Sequence, residues 1–134
     1  MSVLVTDSGF QTDDWLGGYP CPGEAANDTT SLDLTSDTDP DGVTLTPGLK
    51  MIRVDFPSFA DGRGFTIARQ LRLRGYQGRL RAKGHVLSDQ YAMARRSGFD
   101  EVEISYDLAA RQPEGEWLSR ANWQQHHYQA RLRG

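Results

Sequence analysis

Nine cationic side chains lie between Asp61 and Gly98 (Arg63, Arg69, Arg72, Arg74, Arg79, Arg81, Lys83, Arg95 and Arg96), against two carboxylates, Asp61 and Asp89. Thirteen of the chain's fifteen bases are arginine, whose planar fork suits two-point contact with carboxylate, phosphate or sulfate oxygens. A focused positive field of this kind concentrates anions near it. The same arginines would equally well solvate helix faces and pair with the protein's own carboxylates, and both readings are open at this point.

Within that stretch, Asp61-Gly62-Arg63-Gly64 precedes an amphipathic run, so its backbone N–H groups open a helix where an anion is favoured. The motif lacks both the Lys-Ser/Thr of a phosphate loop and the three-glycine dinucleotide spacing. Its glycines serve either anion capture or a plain tight turn in which Asp61 pairs with Arg63. Lys83-Gly84-His85 ends a strand-like segment and Asp89-Gln90 opens the next helix, which brings an imidazole, an ammonium and a carboxylate to one edge. His85 is the candidate general acid/base, with Asp89 orienting it, or else a structural histidine bonded to Asp89 or Asp61. The candidate anion-binding set is Asp61, Gly62, Arg63, Gly64, Arg69, Arg72, Arg81 and Lys83. Three histidines and one cysteine are too few for a zinc or iron–sulfur site made by this chain alone, and adjacent His126 and His127 point apart in either helix or strand. No metal site is expected and no cofactor is assigned.

The elements that must position these residues follow from periodicity and punctuation. Met51–Phe56 is apolar and β-branched and stops at Pro57, which predicts a buried strand. Phe65, Ile67, Ala68 and Leu71 share one helical face, with Gly75 as the left-handed stop. Gly78 to Val86 alternates like a half-buried strand. Ser88 is placed as an N-cap, with Leu87 and Ala92 spaced as a hydrophobic staple, for a helix ending at Gly98. Glu101-Val102-Glu103-Ile104 gives the third strand. The expected fold is therefore α/β, a small parallel βαβαβ core over 49–106 with right-handed crossovers. Its strand C-termini gather Asp55, the Asp61 to Gly64 turn, Lys83, His85, Asp89 and Ser105 at one edge, where open α/β sheets bind ligands.

The 134 residues fit one domain. Charge divides it: residues 1–50 hold nine carboxylates and a single base, Lys50, whereas 51–134 hold fourteen bases and nine carboxylates. Residues 1–48 read as an acidic arm, with a short edge strand at Val3–Val5, a loop over 17–42 and a further short strand at Val43–Leu45. Offering few apolar side chains, the loop is expected to be dispensable for folding. Residues 107–134 read as an aromatic C-terminal packing segment carrying Trp117, Trp123 and Tyr128. No run of eighteen apolar residues and no secretory signal is present, and the one cysteine, Cys21, forms no internal disulfide, so a cytoplasmic location and no membrane partner are expected.

Three separated segments, DFPSFADGRGFTIARQLR from Asp55, LRAKGHVLSDQY from Leu80 and RRSGFD from Arg95, closely resemble the bacterial domain-of-unknown-function family 934. Its members are commonly encoded beside assimilatory sulfite reductase and labelled as oxidoreductases of sulfite reduction. The resemblance implies an accessory protein of sulfate and sulfite assimilation, with sulfite reductase or another redox enzyme of that pathway as partner, or a small oxyanion as ligand. The alternative it implies is a small oxidoreductase or anion-processing enzyme of the same pathway using His85. Carried over by motif are Asp61, Gly62, Arg63, Gly64, Arg69 and Arg72, then Arg81, Gly84, His85, Asp89 and Gln90. No flavin, nicotinamide or cluster motif accompanies them. A pI near 5.5 and the lack of an aromatic β-platform argue against a nucleic-acid partner.

Overall fold

The computed structural model describes residues 2–15, 17–23 and 29–121. These form a six-stranded sheet from β1 (Ser2–Thr6), β2 (Gly9–Gln11), β3 (Ser31–Leu34), β4 (Met51–Phe56), β5 (Arg79–Gly84) and β6 (Glu101–Ser105), in the order β2-β1-β6-β5-β4-β3. Strands β3 to β6 are parallel, while β1 runs antiparallel to both β6 and β2. The helices are α1 (Arg63–Leu73), α2 (Tyr91–Ser97), α3 (Tyr106–Arg111) and α4 (Glu114–Leu118). The α/β class and the parallel β4-α1-β5-α2-β6 unit are as the periodicity predicts.

Four parallel strands laid side by side in chain order, joined by crossovers of one hand, place their connecting helices on one face. Accordingly α1 and α2 pack against each other. Beneath them lie Ile52, Val54 and Phe56 of β4, Leu80 and Ala82 of β5, and Val102 and Ile104 of β6, all buried. The helices contribute Ile67, Ala68, Leu71, Tyr91 and Ala94, and Trp117 of α4 meets Tyr91 edge-on. Gly98 closes α2 in the left-handed region at φ +115°, as its type suggests.

The N-terminal half differs from the sequence reading. Residues 31–34 of the supposed loop form β3, paired in parallel with β4, and Leu32, Leu34 and Val43 are buried in the core. Each contributes about 2 kcal/mol of apolar burial, so this part of the arm belongs to the folded body. Val3–Val5 lies within β1, an interior strand between β2 and β6. Val43–Leu45 is not a strand; Val43 caps a 3-10 turn at Pro40–Gly42. Ser88 does not cap a helix through its side chain. Residues 88–90 make a 3-10 turn in which Gln90 Oε1 accepts from the Leu87 N–H, and α2 starts at Tyr91. Helix α3 ends at Arg111, and Pro113 is the N-cap of α4. Leu16, Trp123, His126, His127, Tyr128 and Leu132 lie outside the described residues.

Both margins of the sheet are occupied. The Phe10 N–H of β2 donates to Glu114 Oε2 at 2.8 Å, and the Asp33 N–H of β3 donates to the carbonyl of Pro20 at 2.9 Å. Among the described residues no helix is long and apolar enough to cross a membrane, and no group of three His, Cys, Asp or Glu residues is placed to hold a metal ion.

Candidate functional site

Strands β4, β5 and β6 end at Phe56, Gly84 and Ser105, and His85 follows at that edge. The His85 N–H bonds the Phe56 carbonyl at 2.9 Å, and its Nδ1 lies 3.2 Å from the same oxygen. A carbonyl only accepts, so in the neutral ring Nδ1 carries the proton and Nε2 keeps a lone pair. Phe59 meets the imidazole edge-on at 5.0 Å between ring centres. Gly84, at φ +113°, allows this turn: a Cβ there would fall 2.7 Å from the Phe56 carbonyl oxygen. The imidazole borders a hollow of about 280 Å³ lined also by Phe59, Ser105, Asp107 and Arg111. The Ser105 hydroxyl is engaged there in capping α3, accepting from the Leu108 N–H at 3.1 Å.

The structure does not bring Asp89 to this imidazole. Asp89 is exposed and pairs with Arg120 at 2.9 Å, beside a separate hollow with Ser88, Gln112 and Glu116. The Phe56 carbonyl, which sequence reasoning could not see because it is main chain, does the orienting. Arg111 and Asp107 were equally invisible, since their place depends on how α3 folds back over the end of β6.

At the start of α1, Asp61 makes the pairing that was one of the two readings of its motif. Its Oδ1 accepts from the Arg63 backbone N–H at 3.1 Å and from Nε at 3.0 Å, and its Oδ2 meets Nη2 at 2.8 Å. Those Arg63 hydrogen bonds hold the Asp61 carboxyl well below its usual range. The protein's own carboxylate thus occupies the first helical N–H. Gly64 is required by packing instead: a Cβ there would lie 2.4 Å from Cζ of Phe56, so glycine lets α1 settle onto that ring. Gly62 is the N-cap at φ −90°.

The other candidate cations are dispersed. Arg69 is exposed on the outer side of α1. Arg72, at the far end of that helix, is tied to the carbonyls of Gly98, Tyr76 and Gly78 and to Asp100. Arg81 and Lys83 project from the opposite face of the sheet. Arg81 is completely buried there, with Nε 2.6 Å from Glu101 and Nη1 3.0 Å from both Glu103 and Asp13. Burial alone would push the Arg81 guanidinium down, but Glu101 and Glu103 outweigh it and hold the charge. Arg63, Arg69, Arg72 and Arg81 therefore do not share one crevice. Nor does the strand order reverse between β3 and β6, so these strands lack the switch point at which doubly wound sheets open a ligand cleft.

No curated protein and no solved structure matches the chain. One family model does, over residues 31–134, from the first residue of β3 onward and through every motif discussed above. This protein belongs to the family of bacterial proteins of unknown function, DUF934.

Proposed function

We propose that this chain is a docking accessory of sulfate and sulfite assimilation that binds an acidic face of sulfite reductase or a neighbouring redox enzyme. The observation that carries this reading is the outer surface of the helical layer. Thr66, Arg69 and Leu73 form one outward stripe of α1, with Leu73 73% exposed, and the adjoining α2 presents Met93 at 54%. An arginine and a solvent-facing leucine on one stripe, with a solvent-facing methionine on the adjoining helix, combine steering charge with apolar anchors, and Arg and Met are among the residue types enriched at interfaces. The test is binding of the purified chain to purified sulfite reductase by surface plasmon resonance. Arg69→Glu with Leu73→Asp should weaken it by about a hundredfold, the effect of roughly 2.7 kcal/mol. Unaltered binding in that variant, or none in the wild type, removes this surface from consideration.

A second reading, a small anion-processing enzyme, is favoured by the orientation that the Phe56 carbonyl gives His85. With its Nδ1 directed at the Phe56 carbonyl, the imidazole borders a hollow that Arg111 also lines. Sulfite titrated into labelled protein should move the His85 imidazole resonances, and Arg111→Gln should abolish the movement. Resonances that stay in place rule out sulfite at this edge.

A further inference from the structure

The face of the sheet turned away from the helices is charged rather than apolar. Register aligns Asp33, Arg53, Arg81 and Glu101 across β3 to β6, and Lys83 and Glu103 one step further along. Strands buried on both faces are normally apolar on both. Here the cover is a strap, residues 12–15 and 17–20, which has no regular secondary structure and leads from β2 to the margin of β3. Asp13 meets Arg81 at 3.0 Å, Asp14 meets Arg79 at 2.9 Å, and the Tyr19 ring centre lies 3.6 Å from Cζ of Arg53.

Two features distinguish this cover from a packed layer. None of its described residues is fully buried and none belongs to the apolar core. It also leaves the face incompletely bonded. Among the described residues the buried Tyr19 hydroxyl has no hydrogen-bond partner, and the buried Arg81 Nη2 reaches only Asp14 of the strap, at an ion-pair distance of 3.8 Å that is too long for a hydrogen bond. A buried donor without an acceptor is costly, so a segment supplying one more acceptor would bond the face better than the strap does. With the strap seated a free divalent oxyanion fits poorly, because Asp13, Asp14, Asp33, Glu101 and Glu103 outnumber Arg53, Arg79, Arg81 and Lys83. With the strap lifted, Asp13 and Asp14 leave with it, and what the arginines then accept is another pair of carboxylates on an extended chain.

We infer that this face is a docking surface for an acidic, aromatic-bearing segment of a partner protein, and that the strap is its built-in, displaceable occupant. The partner segment pairs adjacent carboxylates with Arg79 and Arg81 and stacks an aromatic ring on Arg53, as Asp13, Asp14 and Tyr19 do. This surface lies opposite the α1–α2 stripe, and the inference does not depend on the reading of that stripe. Because the strap is tethered, it competes at an effective concentration of about a millimolar.

The probe is a fluorescent peptide with the sequence of residues 10–20, added to the full chain and followed by anisotropy. Asp13→Asn with Asp14→Asn in the chain, which loosens the strap in place, should tighten peptide binding at least tenfold over wild type. A peptide carrying asparagine at both aspartate positions should not bind. Equal affinity for variant and wild type, or no binding to either, overturns the inference. So does a dimer of the wild-type chain that the peptide dissociates, which would assign the face to a second copy. Hydrogen exchange on the wild type gives an answer even if the variant fails to fold. The strap amides should exchange at least a hundredfold faster than those of β4 to β6, and protection equal to the sheet's would mean that the strap opens only on global unfolding.

Discussion

The guanidinium of Arg72 closes on the carbonyl of Gly98, with Nε at 3.0 Å and Nη2 at 2.8 Å, joining the end of α1 to the turn after α2. The same fork reaches the carbonyls of Tyr76 and Gly78 at 3.0 and 2.8 Å. One side chain thereby satisfies three main-chain acceptors at the end of the sheet where β5 and β6 begin. Arg72→Ala should lower stability by about 3 kcal/mol, and Arg72→Lys should recover less than half of that because a point-like ammonium cannot span the fork. Urea unfolding of the two variants measures both.

Gly64 and Gly62 stand two residues apart in the same motif and should respond oppositely to a methyl group. Alanine at Gly64 would drive its Cβ against the Phe56 ring, an overpacking cost of about 1–3 kcal/mol that outweighs the gain in helix propensity. Alanine at Gly62 meets only Phe65, at an ordinary 3.8 Å, and should leave stability within about 0.5 kcal/mol. Thermal melts of both variants settle whether this turn is built for packing.

Arg81 is the hinge of the charged face, since Glu101 and Glu103 are buried against it. Arg81→Met should destabilise the fold by about 3 kcal/mol, because Glu101 and Glu103 then keep only Arg79 and Arg53, at 2.8 and 3.3 Å, as cationic partners. Adding Glu101→Gln and Glu103→Gln to that variant should restore part of the loss, as denaturant midpoints will show.

Three tyrosines predict an alkaline limit. Burial pushes Tyr19 up to about 12 and raises Tyr76 and Tyr91 as well, the last also through its hydrogen bond to Asp7. In the unfolded chain tyrosines ionise near pH 10, so above that the native state holds protons that the unfolded state has released. Stability therefore falls as pH rises from about 10 to about 12. Tyr91→Phe should flatten that slope in urea unfolding measured across this range.

How far the fold was legible depends on punctuation. Strand β4 is bounded by Pro57, α1 by Gly75 and α2 by Gly98, so local chemistry defines the repeating unit. Strand β3 has only four residues, Ser31-Leu32-Asp33-Leu34, set among serine, threonine and aspartate, and its apolar pair counts only once β4 lies beside it. At the candidate site, helical spacing separates inward Leu71 from outward Arg69, but not Arg69 from Arg72. Arg72 finds its carbonyls in loops that the sequence does not place. The alternation of Arg79, Arg81 and Lys83 announces a polar face. What covers that face is decided by the crossovers, which leave it without helices among the described residues, and by a strap some sixty residues earlier in the chain.

The two occupied margins of the sheet bear on how copies of this protein behave at high concentration. An open outermost strand templates further strands and seeds fibrillar aggregates. Here the Glu114 carboxylate takes the Phe10 N–H on one side and the Pro20 carbonyl takes the Asp33 N–H on the other, so a neighbouring molecule finds neither donor available. Glu114 also sits where a Cβ on Gly9 would go, which fits the carboxylate closely against the backbone of β2. The β2 margin is thereby guarded against runaway strand addition, whereas the β3 margin is guarded only while the strap is seated, so displacing the strap would also release the Asp33 N–H as a strand donor.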